Sequence, residues 1–204
     1  MTLLCDLAKK YETDKGGYGH MRYGGGDSDT CHNYTPYYND LLGDRREEIK
    51  TVLEIGVHQG CSVRMWKEYF PNAQILGIDT NGECIKHAED RITVMMADQN
   101  NPHQLMSAAT AFLCQHERFL EGFDLIVDDG SHEREHQIVS LETLWRYLAK
   151  GGYYVVEDVG VGDVDIRSLM WAVPGAATMS HGVRIDGGWG PKVQPYEWLF
   201  VAHK

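Results

Sequence analysis

The sequence predicts an α/β fold built on a doubly wound, mostly parallel sheet with helices on both faces. Three observations lead there. From residue 51 onward, short apolar runs of strand length alternate with segments of helix length, the pattern of repeated strand–helix–strand units. The runs, such as LIV at 125–127 and YYVV at 153–156, are apolar almost throughout, as strands covered on both faces must be. Right-handed crossovers between such strands then wind the chain to either side of the sheet. A length of 204 residues suits one domain. Residues 1–204 are therefore read as a single unit, with 1–45 a helical and looped N-terminal lid.

Taken in order, Leu3, Leu4, Leu7 and Ala8 at helical spacing predict a helix over 3–11. Residues 16–26 carry six glycines with Tyr18, His20, Arg22 and Tyr23 between them and predict a mobile loop. Thr35-Pro36 places a capping residue before a proline at the first helical position, so YYNDLLGDRREEI should begin a helix. TVLEIGV, ILGID, ITVMMAD and FDLIVDD read as strands, separated by helices from about Ser62, about Gly82 and Pro102. A helix over 133–149 and a fifth strand, GGYYVVED, follow. WAVPGAATMSHG and DGGWGP look like loops, and PYEWLFVAHK closes the chain as a strand on the sheet edge.

Apolar residues at 43% and charged residues at 24% describe an ordinary soluble protein. The net charge of −11 disfavours a nucleic-acid backbone or an anionic membrane as partner and favours a small molecule or a metal. The five cysteines are scattered without a C-x-x-C pair and read as reduced thiols. The N-terminus lacks a basic, signal-like start, and no run approaches a membrane span, so a cytoplasmic protein is expected. A homo-oligomer is compatible with all of this.

Chemistry concentrates at the strand ends. Glu54-Ile55-Gly56-Val57-His58-Gln59-Gly60 is a glycine-broken turn after a buried strand, where backbone without Cβ atoms can approach a ligand closely. Its G-x-x-x-G spacing does not provide the G-x-G-x-x-G of a pyrophosphate site. Taken alone, Gly56 and Gly60 need do no more than turn the chain from strand to helix. The turn resembles motif I of class I S-adenosylmethionine-dependent methyltransferases, whose cofactor carries an amino-acid tail and no phosphate. Asp79, ending the next strand, would then accept from both ribose hydroxyls, and Asp98-Gln99, ending the third, resembles the adenine-contacting position. Two acidic doublets, Asp128-Asp129 and Glu157-Asp158, end consecutive strands one crossover helix apart. Gathered at one sheet edge they would repel unless a hard divalent cation neutralised them. His132, at a helix N-terminus where the dipole favours neutral imidazole, could accept a proton.

Together, Thr13-Asp14-Lys15, His32-x-Tyr34-Thr35-Pro36-x-Tyr38, LEIGVHQGCS, VDDGSH and VVEDV resemble the magnesium-dependent O-methyltransferases of macrolide-antibiotic sugars, the mycinamicin and tylosin pathway type. These are related to cephalosporin hydroxylase-like proteins. The resemblance implies a Rossmann-like seven-stranded sheet with an antiparallel C-terminal strand. It implies S-adenosylmethionine bound by Glu54, Gly56, Gly60, Ser62, Asp79, Asp98, Gln99 and Asp128, and Mg2+ held by Asp129, Glu157 and Asp158. It implies His132 as general base, with residues near His32 and Tyr34 closing the site over a small-molecule hydroxyl acceptor. The chain departs from the pattern in a glycine-rich insertion between Thr13 and His32 and in the part after Val159. Two other readings stay open: methylation of a catechol or phenol, and a non-catalytic cofactor-binding subunit; Tyr18, Tyr23, Trp171 and Trp189 could line the pocket for a sugar or a phenol alike.

Overall fold

In the computed structural model, which describes residues 2–17, 31–160, 163–175, 177–186 and 196–204, the chain forms one seven-stranded sheet. Its strands are β1 (Thr51–Ile55), β2 (Gln74–Asp79), β3 (Ile92–Met96), β4 (Phe123–Asp128), β5 (Leu148–Val159), β6 (Met179–Asp186) and β7 (Tyr196–His203). They are ordered β3-β2-β1-β4-β5-β7-β6. β1 to β5 pair parallel, and β7 is antiparallel to both neighbours. Strand order reverses between β1 and β4, and in sheets of this kind the crevice at the carboxyl ends there is where ligands bind.

The helices are α1 (Leu3–Tyr11), α2 (Thr35–Leu42), α3 (Cys61–Tyr69), α4 (Pro102–Gln115), α5 (Arg134–Leu144) and α6 (Asp163–Ala172). Alternation along each strand divides the core between two faces. On β1, Val52 packs with Leu4, Tyr38, Trp66 and Phe70 of the first three helices and the turn after α3, whereas Leu53 packs with Phe112, Leu141 and Leu144 of α4 and α5. The strands are therefore buried on both sides, which explains their unbroken apolar runs. No helix among the described residues is long and apolar enough to cross a membrane.

Several boundaries differ from expectation. The segment from Gly82 is a 3-10 turn, Gly82–His87, capped by the Asn81 side chain. The helix expected over 133–149 ends at Leu144, and Leu148 already begins β5. Thr35 is the first helical residue rather than the cap. Its hydroxyl instead meets Cys5 Sγ at 3.3 Å, which ties α2 to α1. WAVPGAATMSHG, expected as loop, holds the end of α6 and the start of β6. β7 is not at the edge: β6 lies outside it. β6 reads MSHGVRID and buries only Ile185, so it has none of the apolar patterning by which a strand is recognised. Most of the glycine-rich loop at 16–26 and nearly all of DGGWGP, with Tyr18, Tyr23 and Trp189, fall outside the described residues. Trp171 is 86% exposed on α6.

Candidate functional site

The turn after β1 and the turn after β4 meet at the reversal of strand order. Gly56 has φ +93°, and a Cβ there would stand 1.9 Å from the Asp129 carbonyl oxygen. Only glycine allows this approach. Gly60, at φ +71°, starts α3 against the His87 ring. Gly56→Ala should cost about 2 to 4 kcal/mol, from a strained dihedral and a backbone clash. Urea unfolding would measure it, and a loss below about 1 kcal/mol would show that the two turns need not touch.

Asp79, ending β2, organises this turn. Its Oδ2 accepts from the Val57 and His58 amides at 2.9 and 3.0 Å, and its Oδ1 from that of Asn81 at 2.8 Å. Burial pushes the carboxyl up, but these three N–H bonds outweigh it and hold it below its ordinary range. A cavity of about 240 Å³ lies between Gly56, Asp79, Asp98, Gln99, Gly130 and Ser131. A second, of about 370 Å³, shares Gly56, Asp79 and Gly130 with it and continues past Ser62 to Asp129 and His132. Asp98 accepts from the Asn100 amide at 2.8 Å on the rim of the first.

Of the residues expected to touch a cofactor, Glu54, Gly60 and Asp128 line neither cavity. Asp128 is wholly buried, accepting from Gln99 Nε2 at 2.6 Å and from the Ser140 hydroxyl, and burial raises its carboxyl to about 7. Gln99 Oε1 in turn accepts from the Ser131 amide at 2.9 Å, fixing the turn that carries His132. Glu54 is also buried, and accepts from Ser62 Oγ at 2.9 Å. Burial raises it to about 7 despite the nearby Lys15 ammonium. Both acids sit under the site rather than in it.

The acid corner lies at the far end of the second cavity. One ligand atom each from Asp129, His132 and Asp158 lie within 4.8 Å of one another, and His132 Nε2 is 3.9 Å from Asp158 Oδ2. His132 and Asp158 both take left-handed backbone, at φ +59° and +51°. The two carboxylates offer the oxygen donors that suit a hard divalent ion of the magnesium or manganese kind. Burial raises the Asp129 carboxyl, Lys15 opposes that, and Asp158 adds to it, so positive charge placed between the two acids would relieve them.

Glu157, expected as a third ligand, is separated from its neighbour Asp158. β5 is irregular here: its register with β7 shifts between Val156 and Val159, and Asp158 takes φ +51°. Glu157 is turned into the core, where Oε1 accepts from the Tyr38 hydroxyl at 2.6 Å and Oε2 from Lys15 Nζ at 2.6 Å. Asp158 is turned toward the N-terminal segment, accepting from the Tyr34 hydroxyl at 2.5 Å and lying 3.2 Å from His32 Nδ1. His32 also bonds Glu197 Oε2 at 2.5 Å and lies 3.6 Å from Asp14. Burial opposes its positive charge, but the three carboxylates outweigh burial and hold its pKa well above normal.

Sequence reasoning assigned no role to Lys15, Tyr38 or Glu197. The clues were present: a lysine beside the acids of a quoted motif, and a lone acid opening an otherwise apolar last strand. What they lacked was a partner, since Lys15 meets residues of β1, the turn after β4 and β5 only after folding.

The profile of a family described as "Methyltransferase domain" matches residues 53–159. The chain is 35% identical over 164 residues to demethylmacrocin O-methyltransferase of Streptomyces fradiae, covering 76% of this chain and 36% of that protein. It is 34% identical to mycinamicin VI 2''-O-methyltransferase of Micromonospora griseorubida, with the same coverage. It thus spans just over a third of the length of either. Among solved structures, the MycE methyltransferase of the mycinamycin biosynthetic pathway, in complex with Mg and SAH, superimposes with a TM-score of 0.71 at 25% identity. That match covers 98% of this chain and 54% of the other.

Proposed function

The chain belongs to the methyltransferase-domain family, and from that premise we propose that it transfers a methyl group from S-adenosylmethionine to a hydroxyl of a small-molecule diol, a sugar of a natural product, with Mg2+ and a histidine base. The observation that carries this reading is the grouping of Asp129, His132 and Asp158 at the end of a cavity whose floor is the Gly56 turn. Two relatives named as demethylmacrocin and mycinamicin VI O-methyltransferases and a structural neighbour in complex with Mg and SAH support it.

In this reading Gly56, Gly60 and Ser62 border the amino-acid tail of the cofactor, Asp79 orients its ribose, and Asp98 with Gln99 borders its adenine. Glu54 and Asp128 act from beneath by fixing the first and last of these walls. Asp129 and Asp158 hold the ion, and Glu157 belongs to the same acid set through Lys15. When bound, S-adenosylmethionine and Mg2+ supply the electrophilic methyl group and the charge that favours an ionised hydroxyl. His132 would accept the proton of the acceptor hydroxyl, and Asp158, 3.9 Å from Nε2, would steady the imidazolium that results. Residues 1–45 serve as a lid, with His32 and Tyr34 closing it onto Asp158. The five cysteines, none of them in a disulfide, support a cytoplasmic setting, and the net charge of −11 supports a small acceptor over nucleic acid or membrane.

The test is a screen of glycosides carrying neighbouring hydroxyls, with isotope-labelled methyl donor, with and without chelator. Label should pass to a diol sugar, and stripping divalent ions should lower the rate about 10²-fold or more. Equal turnover in chelator would remove the metal from the mechanism, and transfer to phenols alone would replace the sugar as acceptor.

A further inference from the structure

Six carboxylates gather at this edge of the sheet, and the N-terminal segment answers them with two cations. His32 faces Asp14, Asp158 and Glu197. Lys15, only 1% exposed, faces Glu54, Asp129 and Glu157, which come from β1, the turn after β4, and β5. Its backbone is held in place as well: the Lys15 carbonyl accepts from the amides of Tyr34 and Thr35 at 2.8 and 3.2 Å. A buried ammonium is tolerated only when its neighbours repay the lost hydration, and here three carboxylates do so at once.

We propose that Lys15 is a positioning residue whose buried ammonium draws Glu54, Asp129 and Glu157 together, pre-forms the divalent site, and fills the place a second metal ion would otherwise have to take. This rests on the reading of Asp129 and Asp158 as ion ligands. Lys15 bonds Asp129 Oδ2, while a carboxylate oxygen of Asp129 lies within 4.8 Å of ligand atoms of His132 and Asp158, where a single ion would sit. Without Lys15 the same three carboxylates would face one another in a buried space, and an added ion would do the work of both charges.

Thermal unfolding of Lys15→Met with and without magnesium, beside the wild type, tests this. The variant should unfold at lower temperature in chelator, and magnesium should raise its midpoint about twofold more than it raises that of the wild type. Loss of packing alone would lower the midpoint but leave the magnesium increment unchanged, and that result would overturn the proposal. If the variant folds only in magnesium, the prediction is met in its extreme form. If it folds in neither condition, Lys15→Met combined with Glu54→Gln, which restores the charge balance, should recover a folded protein; continued failure would overturn the proposal. Calorimetric titration with manganese should give one ion per wild-type chain, and two would overturn it. A wild type whose midpoint ignores magnesium would end both the proposal and the metal reading beneath it, whereas equal increments in the two proteins would end the proposal alone.

Discussion

If Asp158 holds the ion as proposed, Asp158→Asn is expected to lower magnesium-dependent turnover by about 10³-fold, since such an ion's electrostatic contribution is worth several kcal/mol. Among the described residues, the carboxylate is common to both groups of ligand-capable atoms, Asp129–His132–Asp158 and His32–Asp158–Glu197. Asparagine keeps the size and can still accept from the Tyr34 hydroxyl, so the lost quantity is charge. Magnesium affinity, read by calorimetry, should fall with the rate, and an unchanged affinity would exclude Asp158 as a ligand. The substitution also carries a pH signature. Burial pushes the Asp158 carboxyl up, but His32, then His132 and Tyr34, pull it well below its ordinary value. A folded-state pKa below the unfolded value of about 3.9 contributes stability that is fully present above that pH and is lost as pH falls through the folded pKa. The stability gap between wild type and variant should therefore be widest near neutrality and shrink below about pH 4.

His132→Asn should lower kcat by about 10² to 10⁴ by removing the base. Asparagine is preferred to alanine because His132 sits at φ +59°, a conformation asparagine accepts far more readily. The side chain is 44% exposed, so the fold should survive. The division between kcat and ion affinity separates the two roles open to the ring. A base lost leaves magnesium affinity intact, while a ligand lost weakens it. Retention of more than about a tenth of kcat would withdraw the base assignment.

The central fold was legible because each strand of β1 to β5 is apolar enough to be buried on both faces, and each is followed by a turn its glycines and capping residues announce. The last third was less so. β6 buries a single side chain and relies on pairing along β7, and pairing with a distant segment leaves no periodic trace in a strand's own residues. The same division runs through the site. Gly56 and Asp79 were readable, because a turn needing φ above zero and an acid at a strand end are local signals. The separation of Glu157 from Asp158 was not, because the doublet gives no hint of which member faces the core until its two neighbours across space, Lys15 and His32, are in position.

The amino-acid order by itself determined that a parallel sheet would form and that acids would end its strands at one carboxyl edge, because these follow from burial patterns and strand ends within short stretches of chain. Tertiary structure alone decided which carboxylate meets which cation. Lys15 lies 114 residues from Asp129 and 142 from Glu157, and a buried charge finds its partners only when packing has excluded the water that would otherwise have solvated both.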